Sequence, residues 1–163
     1  MLIATEPELL AFLTSQGIPY QRIEHPPVYT CEQADLYRPK LPAVSTKNLF
    51  LRDKHGACYL VVTDCAKTLD LKQLGLLLHA RKLHFASPEK LLNILGLTPG
   101  SVTVLALVND SNRQVQLWID SNIWGYENFL CHPLVNTSTL VLAKSSLEQI
   151  FRLTGHPVNL VEM

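Results

Sequence analysis

Apolar and polar positions near the start of the chain repeat first with helical and then with strand spacing. Residues 5–8 read Thr-Glu-Pro-Glu, a capping box with proline in the first turn, and apolar residues then recur at helical spacing until Gly17. Residues 20–25 alternate enough for a strand, which two prolines end. Residues 38–46 contain two further prolines, so we expect an ordered loop there.

The middle of the chain carries the strongest hairpin signal. Residues 47–52 and 57–63 are two strand-like runs joined by a short turn that contains Gly56, and this pattern predicts a β-hairpin. Three elements are expected after it: a leucine-rich helix over residues 69–78, a short strand over residues 83–85, and a helix over residues 87–96 that begins with Ser87 and Pro88.

The last third of the chain is predicted to be mostly strands. Residues 102–108 form a near-continuous apolar run, and residues 115–120 alternate after a polar turn, so we expect two strands. The elements expected next are strands over residues 129–132, 139–143 and 157–161, and a helix over residues 145–154 that begins with a second capping box. This order favours an α+β fold: a single domain over residues 1–163 with a mixed, largely antiparallel sheet and flanking helices.

Composition narrows the class of protein. Of 163 residues, 47% are apolar and 17% are charged, so we expect a folded core. The 14 basic and 14 acidic residues balance, which excludes a polybasic nucleic-acid binder. No apolar stretch approaches the roughly 20 residues of a membrane span, and the start lacks signal-peptide features. We therefore expect a cytoplasmic protein with no membrane partner, whose four cysteines are reduced thiols.

Motifs for several common chemistries are missing. The sequence contains no glycine-rich nucleotide loop, no Gly-x-Ser-x-Gly elbow and no zinc-ligand spacing, so we expect no cofactor and no metal. Cys131 and His132 are neighbours on a predicted strand and would point to opposite faces, which argues against a thiol nucleophile with an adjacent base.

Two polar clusters are candidate sites. Residues 45–48 read Ser-Thr-Lys-Asn where a proline-containing loop enters a strand, and residues 132–137 read His-Pro-Leu-Val-Asn-Thr around a proline. Each cluster also has a purely structural interpretation, as a solvated loop lysine and as a half-buried histidine respectively. The residues alone leave both interpretations open.

Four segments of the chain occur together in a known family. They are Lys-Asn-Leu-Phe-Leu-Arg-Asp at residues 47–53, Leu-Gly-Leu-Thr-Pro-Gly-Ser-Val-Thr at 95–103, Leu-Val-Asn-Asp at 107–110 and His-Pro-Leu-Val-Asn-Thr at 132–137. In this order they resemble the YbaK/ProX family of free-standing aminoacyl-tRNA deacylases, related to the insertion domain of bacterial prolyl-tRNA synthetases. The branch with the greatest likeness is the PrdX or ProXp-ala type, which removes alanine mischarged on proline tRNA. The resemblance runs from about residue 5 to residue 162 and implies a trans-editing hydrolase that uses water, without a metal or a protein nucleophile.

The resemblance implies roles for individual side chains. Lys47 is expected to neutralise a phosphate or polarise the acyl-adenosine end, and Asn48 and Thr46 to contact the substrate. Gly100 begins a loop whose main-chain N–H groups would stabilise the oxyanion, and His132 would shape the pocket or orient the ester. Further substrate contacts are expected from Ser101, Val102, Thr103, Asn136 and Thr137.

Basic residues on both sides of Lys47 point to one end of a tRNA as the partner. The cations expected to contact its acceptor end are Arg38, Lys40, Arg52 and Lys54. We expect no DNA partner, and transient contact with prolyl-tRNA synthetase or an elongation factor. Val104 stands where the family loop has proline, so a non-catalytic aminoacyl-tRNA-binding or regulatory module on the same fold is the alternative. A small-molecule or protein-binding domain is the second alternative.

Overall fold

The computed structural model describes residues 2–163, and its elements alternate between helices and short strands. The helices are α1 (Glu6–Ser15), α2 (Cys31–Asp35), α3 (Leu71–Leu77), α4 (Pro88–Leu95) and α5 (Lys144–Thr154), with a 3₁₀-helix at Val104–Asn109. The strands are β1 (Gln21–Glu24), β2 (Val44–Arg52), β3 (Cys58–Asp64), β4 (His84–Phe85), β5 (Val115–Asp120), β6 (Asn128–Cys131), β7 (Ser138–Ala143) and β8 (Val158–Val161).

The strands form one mixed sheet with β2 near its centre. The order is β1-β7-β6-β2-β3-β5-β8, and β4 pairs with β2 beside this path. The antiparallel pairs are β1–β7, β2–β3, β2–β4 and β6–β7, and the parallel pairs are β2–β6, β3–β5 and β5–β8. The predicted α+β class with a mixed, largely antiparallel sheet and flanking helices is confirmed.

Apolar side chains are buried on both faces of this sheet. The larger core contains the buried residues of α1, α4, α5 and the 3₁₀-helix, packed with inward-facing residues of β2, β3, β5, β6 and β7. A smaller cluster lies on the opposite face, where Leu74 and Leu78 of the α3 region meet Leu51, Tyr59 and Val61. Because β2 and β3 contribute to both clusters, their backbones are fixed from two sides.

Helix ends follow the local sequence at α1 and α4. Thr5 and Glu8 form the predicted capping box, with the Thr5 N–H donating to Glu8 Oε2 at 3.0 Å. Ser87 caps α4, and Gly96 ends it in the left-handed conformation at φ +69°. The second predicted capping box is wrong, because α5 begins after Ala143 with no side-chain cap. Its Ser146 is buried and donates instead to the Pro19 carbonyl at 3.1 Å.

The strand predicted over residues 102–108 is also wrong. This run forms the 3₁₀-helix, capped by Thr103, and its apolar residues from Val104 to Leu107 are fully buried. A short run that is apolar throughout carries no period, so a buried helix and a buried strand look alike in sequence. Asn109 fixes the end of the helix by donating to the carbonyls of Ile3 at 2.8 Å and Leu95 at 2.9 Å.

The expectation of four reduced thiols is wrong for two of them. Cys31 opens α2, a short helix inside a segment that has no clear sequence pattern, and it forms a disulfide with Cys65 just after β3. The two Cα atoms are 5.9 Å apart, which is an ordinary separation for a disulfide. The partners are 34 positions apart, so their proximity comes from the fold. Cys58 and Cys131 are buried free thiols.

Candidate active site

A gap in the sheet beside β2 creates a large cavity. Strand β6 pairs with β2 only at Val44 and Ser45, and β4 pairs only at Leu51 and Arg52. Within the described chain, the edge of β2 between these two pairings therefore has no strand partner. A cavity of about 1150 Å³ lies along this edge.

Main-chain groups of β2 face the same gap. The Ala86 N–H donates to the Phe50 carbonyl at 3.0 Å, so the Phe50 carbonyl points away from β3. Every second residue of a paired strand directs its peptide groups to the same side. The N–H and C=O of Asn48 therefore point into the gap, where they supply one donor and one acceptor to whatever occupies the cavity.

Both polar clusters selected from the sequence lie on this cavity. Three loops close it, at residues 28–31, 99–102 and 132–137, together with the start of α4. Of the substrate-site residues proposed from the sequence, those that line the cavity are Thr46, Lys47, Asn48, Gly100, Ser101, Val102, His132, Asn136 and Thr137. Thr103 does not line it: this residue is buried, and its hydroxyl accepts from the Leu105 N–H at 3.3 Å.

Lys47 is half-buried on β2, and its ammonium is held in place. Its Nζ donates to the main-chain carbonyl of Lys67, which follows β3. One carbonyl can satisfy only one of the three N–H donors of an ammonium group. Two N–H donors of the Lys47 ammonium are therefore left for a ligand or solvent.

The side chains on either side of Lys47 connect β2 to the walls of the cavity. Asn48 accepts from the Val104 N–H through Oδ1 at 3.0 Å, and Thr46 donates to the Leu130 carbonyl at 2.8 Å. These bonds fix β2 to the 3₁₀-helix on one side and to β6 on the other. The two bonds therefore hold the β2 backbone on both sides of Lys47.

His132 brings a neutral imidazole to the cavity. Burial lowers the pKa of His132, and the main chain of Val102 opposes this shift to a smaller extent. Its Nδ1 atom is buried and has no hydrogen-bond partner in the described part of the chain. Since the Nδ1 atom has no exposed surface, His132 lines the cavity through its other atoms.

The glycine-containing loop has the backbone geometry of a tight turn. Gly100 is exposed at φ +88°, where a side chain would be strained although no atom stands within 4 Å of its missing Cβ. The Ser101 N–H donates to the Thr98 carbonyl at 3.1 Å, so this amide is used inside the turn. The position of Gly100 therefore depends on backbone conformation rather than on close packing.

Asn136 organises the loop that carries His132. Its side-chain Nδ2 donates to the Val28 carbonyl at 3.1 Å, and its main-chain carbonyl accepts from the Val28 N–H at 3.1 Å. Thr137 is exposed, and its carbonyl accepts from the His25 N–H at 3.0 Å. The 132–137 loop is thereby attached to the segment that precedes α2.

The four cations proposed for tRNA binding lie outside the cavity lining, in two groups. Arg38 donates to Ser45 Oγ at 3.2 Å and also contacts the Ala43 carbonyl, so part of its guanidinium is used within the loop. Arg52 lies at the far end of β2 with its Nε buried and unpaired in the described chain. Lys40 and Lys54 are exposed.

Three residues on the cavity were missed from the sequence, and a fourth, Cys131, was considered there as a nucleophile and argued against. Tyr29 and Phe85 are largely exposed at the mouth, and Ser138 is buried with no hydrogen-bond partner for its hydroxyl in residues 2–163. Burial raises the pKa of Cys131 to about 12, so this thiol is not a nucleophile at neutral pH. Tyr29, Phe85 and Ser138 had no local signal, because their positions on the cavity depend on the segment before α2, β4 and β7 meeting around β2.

Two other features of the described residues bear on function. Across residues 2–163, every helix is too short or too polar to cross a bilayer. In the same range, no three side chains among His, Cys, Asp and Glu are grouped so that they could bind a metal ion.

Comparisons with known proteins show the family. Residues 25–150 match the family described as the aminoacyl-tRNA editing domain. The chain is 36% identical over 156 residues to the prolyl-tRNA editing protein ProX of Acetoanaerobium sticklandii, which covers 95% of each chain. It is 35% identical over 151 residues to prolyl-tRNA synthetase associated domain-containing protein 1 of Danio rerio, covering 91% of this chain and 82% of the relative. A solved structure described as a candidate trans-editing enzyme for prolyl tRNA synthetase has the same fold, with a TM-score of 0.73, 19% identity and coverage of 99% of both chains. The chain therefore belongs to the aminoacyl-tRNA editing family and is an aminoacyl-tRNA deacylase.

Proposed function

We propose that this deacylase removes alanine from mischarged proline tRNA by attack of water on the aminoacyl ester. The observation that carries the proposal is that Lys47, His132 and the unpaired edge of β2 border one cavity. The Acetoanaerobium sticklandii relative is named a prolyl-tRNA editing protein, which supports proline tRNA as the carrier.

The error that such an enzyme corrects has a physical origin. A synthetase pocket shaped for proline excludes the smaller alanine poorly, because missing methylene groups cost only about 1–3 kcal/mol of binding. A second site that admits alanine and rejects proline supplies the missing discrimination. The cavity, at about 1150 Å³, is larger than an alanyl group, so it also has room for the ribose that carries the ester. Selection against proline would then come from the walls near His132 and Val102.

The proposed reaction needs no protein nucleophile. Water adds to the ester carbonyl carbon, the bond from that carbon to the ribose oxygen breaks, and the ribose oxygen takes a proton, releasing alanine and tRNA. The Lys47 ammonium would stabilise negative charge on the ester or an adjacent phosphate, and main-chain N–H groups would donate to the oxyanion. His132, neutral at pH 7, would orient the ester or limit the size of the amino acid.

The loop that begins at Gly100 is fixed in this chain by a hydrogen bond. Val104 occupies the position where the resemblance leads us to expect proline, and its N–H donates to Asn48 Oδ1 at 3.0 Å. Proline has no N–H and could not make this bond. The bond from Val104 to Asn48 therefore ties the end of the loop to the residue beside Lys47. The missing proline was the argument for a non-catalytic module. Since the hydrogen bond holds the end of the loop without a proline ring, that argument is weakened and a catalytic site is supported.

A panel of mischarged tRNAs tests the proposal. Purified protein is incubated with proline tRNA carrying alanine, serine, cysteine or proline, and the released amino acid is measured. We expect release of alanine and not of proline. Lys47→Ala should lower kcat/KM about 10- to 150-fold, because a charge-assisted hydrogen bond contributes roughly 1.5–3 kcal/mol.

The matched control is Lys72→Ala, which removes an exposed lysine of α3 outside the cavity lining and should leave kcat/KM unchanged. Release of serine or cysteine but not alanine would contradict the substrate assignment. Equal rates for Lys47→Ala and Lys72→Ala would remove Lys47 from the mechanism. Binding of alanyl-tRNA without turnover would favour the non-catalytic module.

A further inference from the structure

Two aromatic side chains stand at the mouth of the cavity, and we propose that Tyr29 and Phe85 are stacking platforms for the unpaired bases at the 3′ end of the tRNA. The inference rests on the proposed function, because an aminoacyl ester in the cavity places its own nucleotide at the mouth. It assigns a base-binding role to two residues outside the two polar clusters selected from the sequence.

Both rings are unusually exposed for aromatic side chains. Tyr29 is 80% exposed and Phe85 is 60% exposed, and both line the cavity. The other exposed tyrosines differ: Tyr37 stacks on His25 with ring centroids 5.3 Å apart, and Tyr126 lies outside the cavity lining. The open aromatic surface at the mouth is therefore contributed by one tyrosine and one phenylalanine.

The backbone that carries each ring is held in place by hydrogen bonds. The Tyr29 N–H donates to Gln33 Oε1 at 2.7 Å, and the preceding residue is paired with Asn136. Phe85 lies opposite Leu51 in β4, and the next N–H donates to the Phe50 carbonyl at 3.0 Å. Because the backbone is already fixed, a base that stacks on either ring has to immobilise only the side chain.

The segments that carry the two rings attach near opposite ends of the exposed β2 edge. The Tyr29 side is joined to the start of β2 through the Cys31–Cys65 disulfide and the bond from the Cys65 N–H to the Ser45 carbonyl at 2.8 Å. Phe85 is level with Leu51, six residues further along β2. At about 3.3 Å per residue, the two attachment points are roughly 20 Å apart. Lys47 lies between them.

This placement fits the chemistry of the ligand. The ester is carried by the ribose of the terminal adenosine, so the adenine base lies one sugar away from the scissile bond, toward the mouth in this proposal. Any base has a flat π face, so stacking holds a single strand without reading its sequence. The Arg38 guanidinium, 3.2 Å from Ser45 Oγ, places a positive charge on the Tyr29 side for the intervening phosphate.

A fluorescent RNA tests stacking without requiring turnover. The probe is an uncharged hairpin with the acceptor stem of proline tRNA and 2-aminopurine in place of the terminal adenine, whose fluorescence falls when the base stacks. Tyr29→Ala and Phe85→Ala should each raise the Kd about 5- to 150-fold, the range measured for loss of one base–aromatic stack. Tyr29→Phe and Phe85→Trp should keep the affinity, and Tyr126→Ala is the matched control for loss of an exposed tyrosine.

Deacylation of alanyl-tRNA by the same variants separates this inference from the proposed function. We expect a higher KM with little change in kcat for the two alanine variants. If the wild-type protein releases no alanine, the proposed function fails, while the hairpin still tests stacking. If the Kd of both alanine variants lies within twofold of that of Tyr126→Ala, the stacking inference is overturned, whatever the turnover.

Discussion

The disulfide between Cys31 and Cys65 makes a prediction that the structure allows us to quantify. Replacing both cysteines by serine, or adding a reductant, opens a loop of 34 residues. In the chain-entropy treatment a loop of this length corresponds to about 3.8 kcal/mol of unfolding free energy at 25 °C. For a chain of this size, about 2–4 °C of Tm accompanies each kcal/mol, so the expected loss of Tm is about 8–15 °C.

Thermal unfolding with and without reductant measures this loss, and mass spectrometry after alkylation of the unfolded protein counts the free thiols. We expect two modified cysteines without reductant and four with it. The double serine variant should unfold at the Tm of the reduced wild type and should not respond to reductant. Four free thiols in the unreduced protein, or a Tm that reductant leaves unchanged, would refute the disulfide and restore the reduced state expected from the sequence.

Three further predictions concern the cavity wall. Asn48→Ala should cost about 1–3 kcal/mol of unfolding free energy, because it leaves the Val104 N–H without an acceptor. The same substitution should cost clearly less in a Val104→Pro background, where that N–H is missing. Equal costs in the two backgrounds would contradict the hydrogen bond between Val104 and Asn48. The folded-state pKa of His132 lies below its ordinary value of 6.5, so its contribution to stability is complete above that pH and is lost as the pH falls below it. Lowering the pH from 7 to 5 should therefore reduce the unfolding free energy of the wild type, measured with denaturant, more than that of His132→Asn. Superimposable pH profiles of the two proteins would argue against a buried neutral ring. Ser138→Ala should leave Tm unchanged or raise it, because it removes an unpaired buried hydroxyl. Ser146→Ala loses a hydrogen bond to the Pro19 carbonyl and should lower Tm. A large loss of Tm for Ser138→Ala would mean that the Ser138 hydroxyl has a partner in the folded protein.

Local sequence determined the features that depend on neighbours in the chain. The capping residues Thr5 and Ser87, the stop at Gly96 and the turn before β3 each follow from the conformational preference of a few adjacent residues. The sequence also held the two polar clusters, and the order of its segments carried the family resemblance. What these residues had in common was a chemistry or a backbone preference that is visible without knowledge of their spatial neighbours.

The tertiary structure alone decided how those segments meet. The cavity exists because β6 leaves β2 after Ser45 and β4 joins it only at Leu51, a gap that no local pattern encodes. The same is true of the disulfide and of the buried run after Thr103, which is a 3₁₀-helix where a strand was predicted. Each of these features depends on contacts between residues far apart in the chain, and such contacts are set by packing of the whole sheet rather than by the preferences of adjacent residues.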